Sequence, residues 1–231
     1  MKQKQTTIRD ALYEAPGPKA RKRIAVATVL SILALAALVI AVIRRFAENG
    51  QLDARYWSIF TRYTTWRFLG YGLVGTMTAA LTAGIITFFA GLLLMMGRIS
   101  SFKVLRALCT VLIEFSRGVP TLLFIYFFLL VVPQFGIRLP ALWKVAAPVA
   151  ISACGVVAEV LRSGVNAVPK GQTEAALSLG MPRSSVFFKI IFPQALRFVV
   201  PALISELVIV LKDTTFAYIV SYSDLMQNAR V

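Results

Sequence analysis

Residues 69–96 run for 28 positions without a single charge. As a helix, at ~1.5 Å per residue, that run covers about 42 Å, more than the ~30 Å hydrocarbon core of a bilayer. A second run, residues 24–43, has 20 uncharged positions and by itself matches one bilayer core. It is long for the apolar part of a signal peptide, and Arg44-Arg45 follows it with no small-residue cleavage site. Of the 231 residues, 58% are hydrophobic and only 15% charged, too apolar a mix to hide from water in a domain of this size. Runs this long close their backbone hydrogen bonds only as helices, so the fold class is an all-α membrane protein.

The chain has no histidine, which removes histidine general bases and metal ligands. Cys109 and Cys154 are too few for a disulfide scaffold or a four-cysteine zinc site, and both lie among apolar residues as packing groups. No catalytic residue and no metal site is expected. The formal charge of +15 does not point to nucleic acid, because Lys and Arg gather between the apolar runs, as in the loops of membrane proteins. With the N-terminus inside, 16 of the 25 Lys and Arg fall in inside segments and 7 in outside ones. That bias predicts a cytoplasmic N-terminus.

The order expected is a basic cytoplasmic tail (1–23), an N-terminal transmembrane helix (24–43), an extracellular-side amphipathic segment (44–68) and a membrane core (69–231). In the amphipathic segment Tyr56, Ile59, Phe60, Tyr63 and Trp66 recur at spacings of three and four, predicting a helix in the headgroup layer. Ala80 and Gly84 offer a small-residue approach for another helix. The first two spans read as lipid-facing packing.

Beyond Arg98 the pattern changes. Glu114 and Arg117 interrupt an apolar stretch, and Gly118-Val119-Pro120 breaks it. The 12 uncharged residues at 121–132 are too short to cross alone, which predicts a broken span around a satisfied cavity. Runs 145–158 and 199–211 are also short, so Glu159 and Arg162, and Glu206, Lys212 and Asp213, are drawn into the membrane with them. Ionisable groups at that depth face a cavity or one another.

Residues 163–197 form an unusually long link between two spans. Thr173 reads as an N-cap with Glu174 in the first helical turn. Gly180 and Pro182 read as a stop, and a second short helix is expected over 184–192, ending before Pro193. Glu174-Ala175-Ala176, three residues, Gly180, nine residues, Ile190, one residue, Phe192-Pro193 resembles the EAA loop of ABC importer permeases, with Phe192 at a Leu position. Three further stretches agree. Glu114 to Pro120 resembles the E-x-x-R-G-T-P stretch of the polar amino-acid permeases. Ala158-Glu159 to Gly164, followed by Pro169-Lys170-Gly171-Gln172, resembles their A-E-x-x-R-x-G and P-K-G-Q. Ser205-Glu206 to Thr215 resembles their N-E-x-x-x-x-L-K-D-T-S.

The resemblance is to the transmembrane subunits of polar amino-acid ABC importers, most of all to actinobacterial glutamate permeases. It implies a type I importer transmembrane domain. About five transmembrane helices are seen, and a sixth, after Asp224, is expected by resemblance. It implies transport of a polar amino acid such as glutamate, without enzymatic activity in this chain. The implied partners are cytoplasmic ATPase subunits, a second permease subunit, an extracellular solute-binding protein, the amino-acid substrate and membrane lipid. It implies no cofactor here, since ATP and Mg are held by the ATPase; indeed no G-x-x-x-x-G-K phosphate loop is present. Glu174, Ala175, Ala176, Gly180, Ile190 and Pro193 are the expected ATPase-coupling residues. Glu159, Arg162, Glu206, Lys212 and Asp213 are candidates for the substrate pathway. Glu114, Arg117, Gly118 and Pro120 are candidates for structural or pathway roles. A stand-alone secondary transporter or channel is the alternative, though no internal repeat is evident and the long loop would then have no purpose.

Overall fold

A computed structural model describes residues 17–230. The chain divides into two compact units, which meet in sequence at Tyr63 and Thr64. The first unit contains α1 (Pro18–Glu48) and the short α2 (Ala54–Trp57), which passes into a 3-10 turn at Ser58–Thr61. Helix α1 starts earlier than the sequence predicts. Pro18 sits in its first turn, where a missing N–H costs nothing, and Lys19 to Arg23 become helical. The first 16 residues of the expected basic tail lie outside the described residues. The single amphipathic helix predicted over 44–68 does not form. Gly50 takes a positive φ of 67°, which stops α1 and turns the chain. The Trp57 indole then donates to the Gln51 carbonyl at 3.1 Å and Arg55 lies over the Tyr56 ring at 4.7 Å.

The second unit begins with α3 (Tyr63–Ile99), a 37-residue helix. It is followed by α4 (Lys103–Gly118) and α5 (Thr121–Tyr126), which continues as a π turn over Phe127–Val131 and a 3-10 turn over Val132–Phe135. Next come α6 (Ala141–Ala167), α7 (Lys170–Ser178) and α8 (Arg183–Val186), which leads through a π turn at Phe187–Ile191. Helix α9 (Phe192–Asp213) extends as a 3-10 turn over Thr214–Val220, and α10 (Leu225–Arg230) comes last. Among the described residues four helical stretches are long and apolar enough to cross a membrane, and the α4–α5 pair, bent by 96°, makes up to five. The break falls at Gly118–Pro120, where Pro120 takes an extended conformation that starts α5.

The second span is not simply lipid-facing. Helix α3 carries a buried stripe of small residues, among them Gly72, Thr76, Ala79, Ala83, Gly84, Thr87 and Gly91, at spacings that keep them on one face. Neighbouring helices approach this stripe closely, which matters because lipid tails compete for larger apolar surfaces. Two interior clusters follow along the bundle. One joins Ala79, Ala83, Ile125, Val149 and Val210; the other joins Met95, Ile113, Val157, Leu161 and Val199.

Both π turns precede a proline by one residue. In the first, the Val132 N–H bonds to the Phe127 carbonyl, just before Pro133; in the second, Phe192 bonds to Phe187, just before Pro193. A proline ring would strike the carbonyl four residues back in a regular α-helix, and one wide turn relieves that clash. The helix predicted over 184–192 therefore does not end at Pro193 but flows into α9.

At Gly91, an added Cβ would lie 2.7 Å from Val157 and 2.9 Å from the Cys154 carbonyl, whereas at Gly70 it would meet nothing within 4 Å. Gly91→Ala is expected to destabilise the fold by about 1–3 kcal/mol through overpacking. Gly70→Ala is expected to be neutral, or to stabilise by up to ~1 kcal/mol through helix propensity. Thermal unfolding of the two variants in detergent checks the contrast.

Candidate functional site

The charged candidates separate into three places. The first lies at the end of the bundle that leads into α7. There Arg162 donates to Glu159 through two nitrogens, at 2.8 and 2.9 Å, one turn along α6. Arg117 pairs with Glu114 at 3.9 Å, one turn along α4. Arg98, from the last turn of α3, is hydrogen-bonded to Glu159 and stands 3.7 Å from Glu114. Glu159 and Arg162, read from sequence as pathway groups, thus join Glu114 and Arg117 in one network of alternating charge. Sequence reasoning missed its centre. Arg98 looked like a loop boundary, and its partners lie far away in the chain.

The second place is the bend of the broken span. The Thr121 hydroxyl, in the first turn of α5, donates to the Asp213 carboxylate at 2.9 Å and meets the Ser152 hydroxyl at 2.9 Å. One small side chain therefore ties α5 to α6 and α9 where the backbone turns. Thr121 and Ser152 were not singled out from the sequence, because an isolated hydroxyl in an apolar run carries no pattern.

The third place is a cavity of about 380 Å³ between α3 and α9, lined by Gly84, Thr87, Leu203, Glu206, Leu207 and Val210 among others. Its lining is almost wholly apolar. Glu206 is 7% exposed, and among the described residues it forms no ion pair. The buried Thr87 hydroxyl has no hydrogen-bond partner. A carboxylate and a hydroxyl left unsatisfied in apolar surroundings are costly, and they suit a donor that arrives from elsewhere. Glu206 and Asp213 are seven residues apart on α9, about 10 Å along one face. Lys212, between them in sequence, is exposed. Of the candidate cations Arg117, Arg162 and Lys212, it alone makes no ion pair among the described residues.

The link between α6 and α9 folds into a knob. Val168, Ala176, Val186, Ile191 and Ala195 form its own small core, with Ile190 packed against it. Helix α7 starts three residues before the predicted N-cap, because Pro169 sets the extended entry and accepts the Gln172 N–H at 3.0 Å. Thr173 is therefore inside the helix, and Glu174 falls in its second turn. Gly180 supplies the stop, with a φ of 75°. Glu174 and Ala175 point outward while Ala176 is 3% exposed and holds the knob together. Leu179, 83% exposed, stands at the tip. Pro193 lies in the first turn of α9.

At the opposite end of α3 the last segment folds back. Asn228 donates to the Phe68 carbonyl at 2.8 Å, and the Leu225 N–H to the Thr76 hydroxyl at 3.0 Å. Asp224 caps α10 by accepting the Gln227 N–H at 2.8 Å. Burial, and then the nearby Asp224 carboxylate, push the Tyr222 hydroxyl above its ordinary pKa.

Asp213→Ala leaves the Thr121 hydroxyl without its charged partner. It is expected to cost about 1.5–3 kcal/mol, and Ser152→Ala, which removes a neutral contact, about 0.5–1.5 kcal/mol. Denaturant or thermal unfolding of the two variants in detergent ranks them.

The profile of the family described as "Binding-protein-dependent transport system inner membrane component" matches residues 88–230. The chain is 38% identical to the "Glutamate transport system permease protein GluD" of Corynebacterium glutamicum over 185 residues, 78% of this chain and 67% of that protein. It is 35% identical to the "Probable glutamine ABC transporter permease protein GlnP" of Bacillus subtilis, covering 71% of this chain and 75% of the relative. A solved structure, "Crystal structure of an amino acid ABC transporter with histidines", superposes with a TM-score of 0.67 at 32% identity, over 74% of this chain and 79% of that one.

Proposed function

The chain belongs to the family of binding-protein-dependent transport system inner membrane components, and on that premise we propose that it is the permease of an importer for an acidic amino acid, glutamate. As an amino-acid ABC permease it works with a separate ATPase subunit and a substrate-binding protein, and hydrolyses no ATP itself. The observation that carries the coupling reading is the knob. A nine-residue helix with its own buried core presents Glu174, Ala175 and Leu179 outward, at the end of a span. A rigid, small projection of this kind suits a groove on another protein. ATP-driven closure of two ATPase subunits pulls on two such knobs, one from each of two permease subunits, and biases the spans between outward and inward states. The Lys and Arg bias supports a cytoplasmic N-terminus and, with it, a cytoplasmic knob.

Glutamate is favoured by the 38% identity to a glutamate permease and by Lys212. An acidic substrate needs a cation that is not already paired, and Lys212 is the pathway candidate that forms no ion pair among the described residues. Glu206, unpaired in its cavity, is assigned the ammonium group. Asp213 holds the bend through Thr121, and Glu159 with Arg162 braces the inner end.

Two measurements test the reading. Glu174→Lys and Gly180→Val are expected to abolish uptake in proteoliposomes containing ATPase and binding protein, while the ATPase keeps its unstimulated rate. Wild-type stimulation in both variants removes the knob from the mechanism. In competition against labelled glutamate, Lys212→Gln is expected to weaken glutamate transport by about tenfold, the worth of one charge-assisted contact. Preferential uptake of arginine or glutamine by the wild type overturns the substrate assignment.

A further inference from the structure

The motif stretches named above include Glu114, Arg117, Glu159 and Arg162 but not Arg98. Among the described residues Arg98 is the one cation of the charge network whose partners lie on other helices. Arg117 pairs with a carboxylate on its own α4 and Arg162 with one on its own α6. One terminal nitrogen of Arg98 reaches Glu159 on α6 and Glu114 on α4, while its backbone belongs to α3. The Arg98 and Glu159 side chains are 20% and 18% exposed. Partial burial makes their attachment strong, because separating them leaves charge in a poorly solvated place.

The mechanical setting gives that attachment a consequence. Helix α6 ends at Ala167 and α7 begins at Lys170. Glu159 lies eight residues, about 12 Å, before the last residue of α6. A pull on α7 is therefore transmitted along α6 to Glu159. Whether α3 and α4 follow depends on what joins them to α6. Apolar contacts resist sliding poorly in a bilayer, since hydrocarbon chains satisfy the same surfaces. A guanidinium nitrogen held between two carboxylates resists it well, since sliding would strip a partly buried charge of its partners.

We propose that Arg98 is the positioning residue through which movement of the coupling knob reaches α3 and α4, so that the three helices swing as one body. The proposal rests on the coupling role given to α7. Arg98 touches neither ATP nor substrate in this reading, and its loss leaves each glutamate with an arginine on its own helix. The fold is therefore expected to survive its substitution, while the transmission does not.

The test uses the complete importer, permease with ATPase and binding protein, in proteoliposomes, and reads substrate transported per ATP hydrolysed. Arg98→Gln is expected to assemble and to hydrolyse ATP, with uptake per ATP lowered about tenfold, within the range of allosteric couplings. Arg98→Lys keeps the charge on a shorter side chain and is expected to fall in between. Glu114→Gln weakens the 3.7 Å contact to Arg98 and the 3.9 Å pair with Arg117 but leaves Arg98 on Glu159, and is expected to lower the ratio by less than Arg98→Gln. Should Arg98→Gln not assemble, the ratio in the other two decides. An unchanged ratio in every assembled variant, even with a lower melting temperature, assigns Arg98 a purely stabilising role and overturns the proposal. Failure of the coupling reading is distinguishable: the wild-type assembly itself would then show no ATPase stimulation by loaded binding protein.

Discussion

Hydrocarbon offers no hydrogen bonds, so each break in a helix and each charge carried into the membrane has to find its partner within the protein. The second unit obeys this constraint almost everywhere. The 96° bend between α4 and α5 is held by the Thr121 hydroxyl, shared with Ser152 and Asp213. The acids of α4 and α6 share arginines. The Asn228 amide returns to a carbonyl at the start of α3. Among the described residues the exceptions are Thr87 and Asp224, each with a buried oxygen that lacks a hydrogen-bond partner, and Glu206, which forms no ion pair; Glu206 and Thr87 face one cavity between α3 and α9. A membrane protein that leaves a carboxylate unmatched in an apolar hollow retains a site whose complement has to come from outside the subunit.

Much of this was legible in the sequence, because membranes write simple rules. The uncharged runs mark the spans, Gly118-Val119-Pro120 marks the bend, and Gly180 marks the stop of the knob helix. Boundaries were less legible where two local rules competed. Thr173 is a good cap, yet Pro169 fixes the backbone earlier and wins. Pro193 breaks helices in general, but a wide turn before it lets the chain run on. The burial of Ala176 and the buried stripe of α3 were invisible for another reason. In an apolar sequence, small residues look the same whether they face lipid or another helix, and only the arrival of a neighbour distinguishes them. Arg98 shows the same limit for charge. Its partners lie 16 and 61 positions away, and no local periodicity points to them.

The knob and the network together describe a division of labour. The knob has a small core, formed by Val168, Ala176, Val186, Ile191 and Ala195 with Val165 packed against it, so its packing continues into the ends of α6 and α9. The bundle keeps its packing through small residues on α3 and clusters along α6. In the proposed coupling, force passes between them through α6, whose carboxylate at position 159 is paired with Arg98 of α3.

The two π turns before Pro133 and Pro193 have an evolutionary consequence. Each accommodates one residue beyond the ordinary α spiral, and that residue sets the phase of everything after it. Losing one position there would spin the following helix by about 100°. For α9, such a deletion would carry Glu206 out of its hollow and leave an apolar side chain in its place. Substitutions in these turns are thus tolerable while length is not, and the phase of the downstream helix is inherited as a count rather than as a residue type.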